Sequence, residues 1–277
     1  MLRNMTMIEV PQGSGQIAAE WIGTGPLVVC VPGMGESRAC FRHLLPGLAK
    51  AGYRAVAMDL RGHGDSALSF DRYDDQAAAS DVLAVIEALG GGPATVIGNS
   101  MGAAAGVLAA VEAPGVVDRL VLIGPFVRDP GPAVMRLFLR LMLAKPWGPM
   151  VWKGYYSSLF GTLRPSDHDA HVHDALALLG RPGRWRAFQA TAATSHAPAE
   201  AALNAVTAPT LVIMGDKDRD FPNPQTEADW VAAALHGQVQ MVPGAGHYPQ
   251  GEQPELVLAA VLPFLRIDCD QEQVHHG

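Results

Sequence analysis

The stretch from Ala94 to Gly102, ATVIGNSMG, most constrains what this chain can fold into. Ala94 to Ile97 is a short apolar run of the kind that makes a buried strand. Ala103 to Ala113 is an alanine-rich helix former with no breaker until Pro114. Only Gly98-Asn99-Ser100-Met101-Gly102 lies between them, so strand must pass into helix through one sharp turn. Small residues are needed on both sides of such a turn because it leaves no room for side chains. The serine at its centre then holds its hydroxyl above the sheet, the arrangement of a nucleophile elbow, and an acid and a histidine are expected further along the chain.

Both are present, in the order Ser, Asp, His. Thr210 to Met214 reads as a strand that closes on Gly215-Asp216-Lys217-Asp218-Arg219-Asp220-Phe221-Pro222. Val239 to Val242 is a short strand ending in Pro243-Gly244-Ala245-Gly246-His247-Tyr248-Pro249. Each candidate sits in a loop just after a strand, where α/β sheets place functional groups.

Strands and helices alternate through most of the remaining chain. Met5 to Val10 and Gln16 to Ile22 read as a hairpin, and Leu27 to Val31 as a central strand covered on both faces. A helix from about Arg38 to Lys50, a strand from Arg54 to Asp59 and a helix from Asp74 to Leu89 follow, the last stopped by Gly90-Gly91-Gly92. Arg119 to Ile123 is the next strand. The pattern predicts an α/β fold, a mostly parallel central sheet with helices on both faces. From Phe126 to His196 there are only helical stretches broken by Pro and Gly, which predicts an inserted α-helical cap. The expected division is a core of residues 1–125 and 201–267, a cap of 126–200, and a polar, mobile tail of 268–277.

Composition narrows the class further. Hydrophobic residues make up 49% and charged residues 17% of the 277, which suits one large globular core and excludes a disordered chain. A net charge of −7 with no basic stripe excludes nucleic acid as a partner. Cys30, Cys40 and Cys269 lie far apart without C-x-x-C spacing, which points away from disulfides and zinc and toward a reducing compartment. The start Met1-Leu2-Arg3-Asn4-Met5 lacks the apolar core of a signal peptide, and no run reaches the ~18 apolar residues of a membrane span. A cytoplasmic protein with a small-molecule substrate, no membrane partner, no cofactor and no metal is expected; oligomeric state is left open.

Further segments carry a resemblance: Val31-Pro32-Gly33-Met34-Gly35, Asp59-Leu60-Arg61-Gly62-His63-Gly64-Asp65-Ser66, the elbow, Gly215 to Asp218, and Gly246-His247. Along nearly its whole length the chain resembles the α/β-hydrolase-fold superfamily, in its serine-nucleophile branch with a helical cap. The resemblance implies Ser100 as nucleophile, His247 as its base, and the aspartate of G-x-x-D, Asp218, as the acid that orients the histidine. Asp216 or Asp220 is then expected to bind backbone N–H groups in the same turn. Asp129 is a competing position for the acid, since some members carry theirs there. The backbone N–H groups of Met101 and Met34 are the implied oxyanion donors, with Pro32 standing where relatives often have histidine. His63 belongs to a loop that shapes the fold.

A serine at the elbow excludes the dehalogenases and epoxide hydrolases of this fold, which need a carboxylate there. Acyl chemistry is left, with cleavage of an ester or lactone through an acyl-enzyme as the leading reading. Gly98-Asn99-Ser100-Met101-Gly102 is also similar to elbows of meta-cleavage-product hydrolases, which cut carbon–carbon bonds, although Tyr248-Pro249 replaces their usual tryptophan. A non-hydrolytic small-molecule receptor and an acyltransferase would use the same fold. In the cap, Ala133 to Leu143 is strongly apolar, with Arg136 and Arg140 on one face. Packing on the core, an apolar pocket and membrane-surface docking are its three readings. The pocket would be lined by Phe138, Met142, Trp147, Trp152, Tyr155 and Tyr248. His168, His171 and His173 read as surface residues.

Overall fold

The computed structural model describes residues 5–129, 131 and 133–266. The tail 268–277, Cys269 and the side chain of Arg136 lie outside the described residues. Strands β1 (Thr6–Gln12) and β2 (Gly15–Ile22) form the hairpin, with Val10 opposite Ile17. Pro11 is tolerated because β1 is an edge strand and has a free side.

Strand β3 (Leu27–Val31) is buried along its whole length. A single 3-10 turn, Arg38–Phe41, and helix α1 (Leu44–Lys50) then replace the one long helix predicted over Arg38 to Lys50. Pro46 explains the break. In a continuous helix it would remove the hydrogen bond to Arg42, whereas in α1 it falls in the first turn, where no such bond is made. Strand β4 (Arg54–Met58) and helix α2 (Asp75–Ala88) follow, with the Asp74 side chain accepting from the Ala77 N–H as N-cap. Next come β5 (Ala94–Asn99), α3 (Met101–Glu112) and β6 (Val117–Ile123).

Between β6 and the next strand lie α4 (Ala133–Met142), α5 (Gly148–Ser158), α6 (His168–Gly180), α7 (Arg184–Thr191) and α8 (Ala197–Ala202). The chain ends as β7 (Thr210–Gly215), α9 (Pro224–Ala234), β8 (Gln238–Val242), α10 (Pro249–Glu252) and α11 (Pro254–Arg266). The eight strands form one sheet in the order β1-β2-β4-β3-β5-β6-β7-β8. Only β2 is reversed, antiparallel to both β1 and β4; β4, β3 and β5 to β8 pair in parallel.

Helices cover both faces, as the strand–helix alternation requires. Val82, Val85 and Ile86 of α2, Val107 of α3 and Val231 of α9 pack on one face. Phe41, Leu44 and Leu48 on and near α1 and Val257, Val261 and Phe264 of α11 pack on the other. The inserted helices carry a smaller core of their own, built on Trp152, Tyr156, Leu179, Trp185 and Phe188 and joined by Tyr248 from the main body. Burying a side chain of this size contributes about 1.5–3 kcal/mol.

Two of the cap histidines are not on the surface. His168 is buried with its ring edge-on to Phe160, and His171 is buried beside Glu36 and Tyr156. The Tyr156 hydroxyl donates to Glu36 Oε1, and His171 Nε2 lies 3.3 Å from the same oxygen, so this wholly enclosed carboxylate is held by groups from α5 and α6. Only His173 is exposed. Among the described residues no helix is long and apolar enough to cross a membrane.

Parallel register brings the functional loops together. Gly98 lies opposite both Val31 and Leu122, Asn99 opposite Ile123, and Gly215 opposite Val242. The elbow, the turn after β7 and the loop after β8 therefore leave the sheet at one edge.

Candidate active site

The elbow is as tight as its sequence requires. A Cβ on Gly98 would lie 2.2 Å from the Gly102 carbonyl oxygen, and one on Gly102 would lie 2.2 Å from the Val31 carbonyl oxygen. Those neighbours are backbone and cannot move aside, so both positions must be glycine. Ser100 itself has φ 56° and ψ −122°, a conformation a side-chain-bearing residue adopts at a cost of about 1–3 kcal/mol. The surroundings hold it there: its N–H donates to Ile123 O at 2.9 Å and its carbonyl accepts from the Phe126 N–H at 3.3 Å. The side chain stays 7% exposed, facing a cavity.

His247 reaches the same cavity from the loop after β8. Its Nδ1 lies 2.7 Å from Asp218 Oδ2 and 3.5 Å from Asp220 Oδ2. A proton on Nδ1 shared with Asp218 leaves Nε2 as the nitrogen that can accept another. The Asp220 N–H donates to Asp218 Oδ1 at 3.0 Å, which fixes the carboxylate from its other side. Asp216 is different: its Oδ1 accepts the Gly244 N–H at 2.7 Å and ties the two loops together, the backbone-binding part expected of one aspartate here. Asp129 accepts from the Ser195 hydroxyl at 2.7 Å and the His196 N–H at 2.9 Å.

Three residues that the sequence reading did not single out hold this pair in place. Gly124, at φ +51°, sits against it; a Cβ there would lie 3.1 Å from His247 Nδ1 and 3.3 Å from Asp218 Oδ2. Asn99 Nδ2 donates to His247 O at 3.1 Å and to Ile123 O at 3.0 Å, bonding the histidine loop to the end of β6. Glu252 accepts from the N–H groups of Gly246 at 3.0 Å, Tyr248 at 3.2 Å and Gly161 at 2.6 Å. The His247 N–H in turn donates to Leu159 O at 2.8 Å. Gly124 follows directly on a strand end, a weak signal; Asn99 and Glu252 carry none.

Electrostatics at His247 is a contest. Burial disfavours the imidazolium, but the Asp218 and Asp220 carboxylates favour it more, and the pKa is pushed up to about 9. Burial pushes the Asp220 carboxyl above its ordinary value. A base must be neutral to take a proton, so any reaction that uses His247 as base gains rate as pH rises toward about 9. We expect log kcat/KM to climb with unit slope below that pH, and Asp220→Asn to move the limb to lower pH. A limb centred at or below the ordinary histidine value would contradict this account.

The cavity has a volume of about 370 Å³ and is walled mainly by apolar side chains, among them Phe126, Leu139, Met142, Trp152, Leu159 and Tyr248. Phe138, Tyr155 and Asp220 also line it, with the Tyr155 hydroxyl donating to Asp220. Met34 and Met101, whose N–H groups were singled out from sequence, border it beside Ser100. Trp147 does not line it. Its indole N–H donates at 2.9 Å to the Leu141 carbonyl in the last turn of α4, which also accepts the Ala144 N–H at 3.2 Å, and the ring stays 49% exposed. Asp218, Asp220 and His247 present polar atoms within 4.8 Å of one another, a spacing that can hold a metal ion. A metal on His247 Nδ1 would have to displace its bond to Asp218.

Comparison with known proteins identifies the family. A model of the alpha/beta hydrolase family matches residues 28–260, and the chain belongs to that family. It is an enzyme of the hydrolase class. It is 27% identical over 254 residues to the sn-1-specific diacylglycerol lipase ABHD11 of Mus musculus, covering 87% of this chain and 81% of that one. A thermophilic esterase from Thermogutta terrifontis superimposes with a TM-score of 0.80 at 24% identity, over 94% of this chain and 98% of the other. The bromoperoxidase from Bacillus anthracis does so with a TM-score of 0.81 at 20% identity, over 95% and 100%. These two likenesses speak to the fold.

Proposed function

We propose that this enzyme is a serine hydrolase that cleaves an ester, lactone or related acyl bond of a small, largely apolar substrate through an acyl-enzyme. The observation that carries the reading is the strained Ser100 sharing an apolar cavity with a histidine whose Nδ1 is bound to Asp218 at 2.7 Å. His247 Nε2 takes the Ser100 proton as Oγ attacks the carbonyl carbon. Asp218 keeps the imidazole in the tautomer that allows this and stabilises the imidazolium that forms. The N–H groups of Met34 and Met101 receive the oxyanion; one such donor is worth about 3–4 kcal/mol in the transition state. The imidazolium then protonates the leaving group, and water repeats the sequence to release the acid. The mouse lipase, by its name, supports an ester substrate.

Carbon–carbon hydrolysis is the second reading, favoured by the elbow Gly98-Asn99-Ser100-Met101-Gly102. Cys30 and Cys40 are free buried thiols, which supports a reducing compartment such as the cytoplasm.

A serine-directed fluorophosphonate is expected to label the protein once, at Ser100, and Ser100→Ala to abolish labelling. Labelling elsewhere, or none on folded protein, overturns the reading. On p-nitrophenyl esters, each added methylene buried in the cavity is worth about 0.8 kcal/mol, roughly fourfold in kcat/KM, until the space is full. Butyrate or hexanoate should therefore outrun acetate, and charged acyl groups should be rejected. A profile that is flat or falls with chain length would show that this cavity does not hold the acyl group. Fast turnover of a meta-cleavage dienoate with slow ester cleavage would favour the second reading. Silence throughout, with melting temperature raised by a small apolar ligand, would indicate a receptor.

A further inference from the structure

One wall of the apolar cavity is polar, and the reaction proposed above leaves it without a task. Thr191, Thr194 and His196 line it, all on α7 and the connection to α8. His196 is the best fixed of them. Its N–H donates to Asp129, and its Nδ1 lies 2.8 Å from Asp75 Oδ2 at the start of α2. Asp75 is 1% exposed, and its other oxygen is enclosed with no hydrogen-bond partner. A carboxylate placed so deep is costly unless it does something specific, and here it does one thing: it holds an imidazole by one nitrogen.

The other nitrogen, Nε2, makes no hydrogen bond among the described residues, and the side chain keeps 14% of its surface open. Asp75 and His196 thus repeat, across the same cavity, the carboxylate–imidazole pairing of Asp218 and His247. The Phe126 ring packs against both imidazoles, 6.0 Å from His196 and 5.7 Å from His247, centre to centre. His196 is thus a second imidazole on this cavity, apart from the one paired with Asp218.

We propose that His196, oriented by Asp75, forms a polar subsite that binds a hydroxyl group on the acyl chain of an otherwise apolar substrate. The proposal rests on the reading of Ser100 and His247 as the reacting end of the cavity. The chemistry selects an alcohol. With Nδ1–H committed to Asp75, Nε2 is an acceptor when the ring is neutral and a donor when it is charged, and a hydroxyl serves either state. A carboxylate on the substrate would meet Asp129 and Asp220 on the cavity wall and Asp75 behind it, and is disfavoured. A plain alkyl chain leaves Nε2 dehydrated and unpaired, the situation in which a site built for a polar group rejects the analogue that lacks it.

The test compares hexanoate with 3-, 4-, 5- and 6-hydroxyhexanoate, as ethyl esters for turnover and as primary amides for calorimetric binding. At least one hydroxyl position is expected to be preferred by about tenfold or more in kcat/KM and in Kd, and His196→Phe to bring that ratio to within about twofold of unity while turnover of the plain ester persists. His196→Gln, which keeps a polar end, should retain part of the preference. If the phenylalanine variant does not fold, His196→Leu carries the same comparison. No preference at any position in the native enzyme overturns the subsite. So does an equal loss on plain and hydroxylated compounds in His196→Phe, which would make the residue a strap between the cap and α2. A hydroxyl preference seen in amide binding with no ester turnover would sustain the subsite and sink the hydrolase reading. Ester turnover without any hydroxyl preference would do the reverse.

Discussion

Ser100→Ala is expected to lower kcat on p-nitrophenyl butyrate by about 10⁶, the scale on which a lone nucleophile is missed in a serine triad. The loss is large because no other hydroxyl is presented at the elbow and because the residues of a triad act as a unit. The cavity and the proposed oxyanion donors survive in this variant, so a residual rate of about 10³–10⁴ over water is expected to remain. Ser100→Gly makes a sharper companion. It should be as inactive, yet more stable by about 1 kcal/mol, since glycine occupies φ 56° without the penalty a side chain incurs. A raised melting temperature with activity gone would show strain held for function. Activity within tenfold of native in Ser100→Ala would remove Ser100 from the chemistry.

Asp218→Asn is expected to cost about 10⁴ in kcat, the effect of neutralising the acid of such a triad. An amide can offer its N–H to Nδ1 and so hold the imidazole in the tautomer that has no free acceptor toward serine. It also removes the charge that stabilises the imidazolium. Asp220 stands 3.5 Å from the same nitrogen but is already engaged by Tyr155, so it is not expected to take over. Asp216→Asn should cost little, because its partner is the Gly244 N–H, and Asp129→Asn should leave kcat nearly intact. A crippling effect of Asp129→Asn with a mild one of Asp218→Asn would reverse the assignment. Steady-state kinetics on the four asparagine variants, with melting curves to confirm folding, decides it.

The parts of this site that could be read from sequence are those whose causes are local. Gly98 and Gly102 are demanded by backbone a few residues away, and Pro46 breaks its helix through its own missing N–H. The alternation of strands and helices foretold the sheet because each strand leaves apolar faces that the next helix must cover. Where the cause is distant, the sequence is silent. Asp218 and Asp129 both follow strand ends and their own neighbours do not choose between them; the resemblance at G-x-x-D names Asp218, and its Oδ2 lies 2.7 Å from His247 Nδ1. Gly124 is required by a side chain more than a hundred positions downstream. His168 and His171 read as surface residues because no carboxylate or cysteine set completes a metal site with them, and it is Phe160 and Glu36, far off in sequence or on another element, that they pack against. Trp147 was assigned to the cavity on its apolar bulk, yet its N–H found a helix-end carbonyl on the outside.

Glu252 has a mechanical consequence. One carboxylate grips the histidine loop at Gly246 and Tyr248 and the inserted segment at Gly161, while Leu159 accepts the N–H of His247 itself. Segment 159–161 and the loop that carries His247 are thus tied to each other, so displacing the one breaks these bonds or shifts the other. At the opposite end of the cavity α4 contributes Phe138, Leu139 and Met142, and no such tie to the histidine loop is seen there among the described residues.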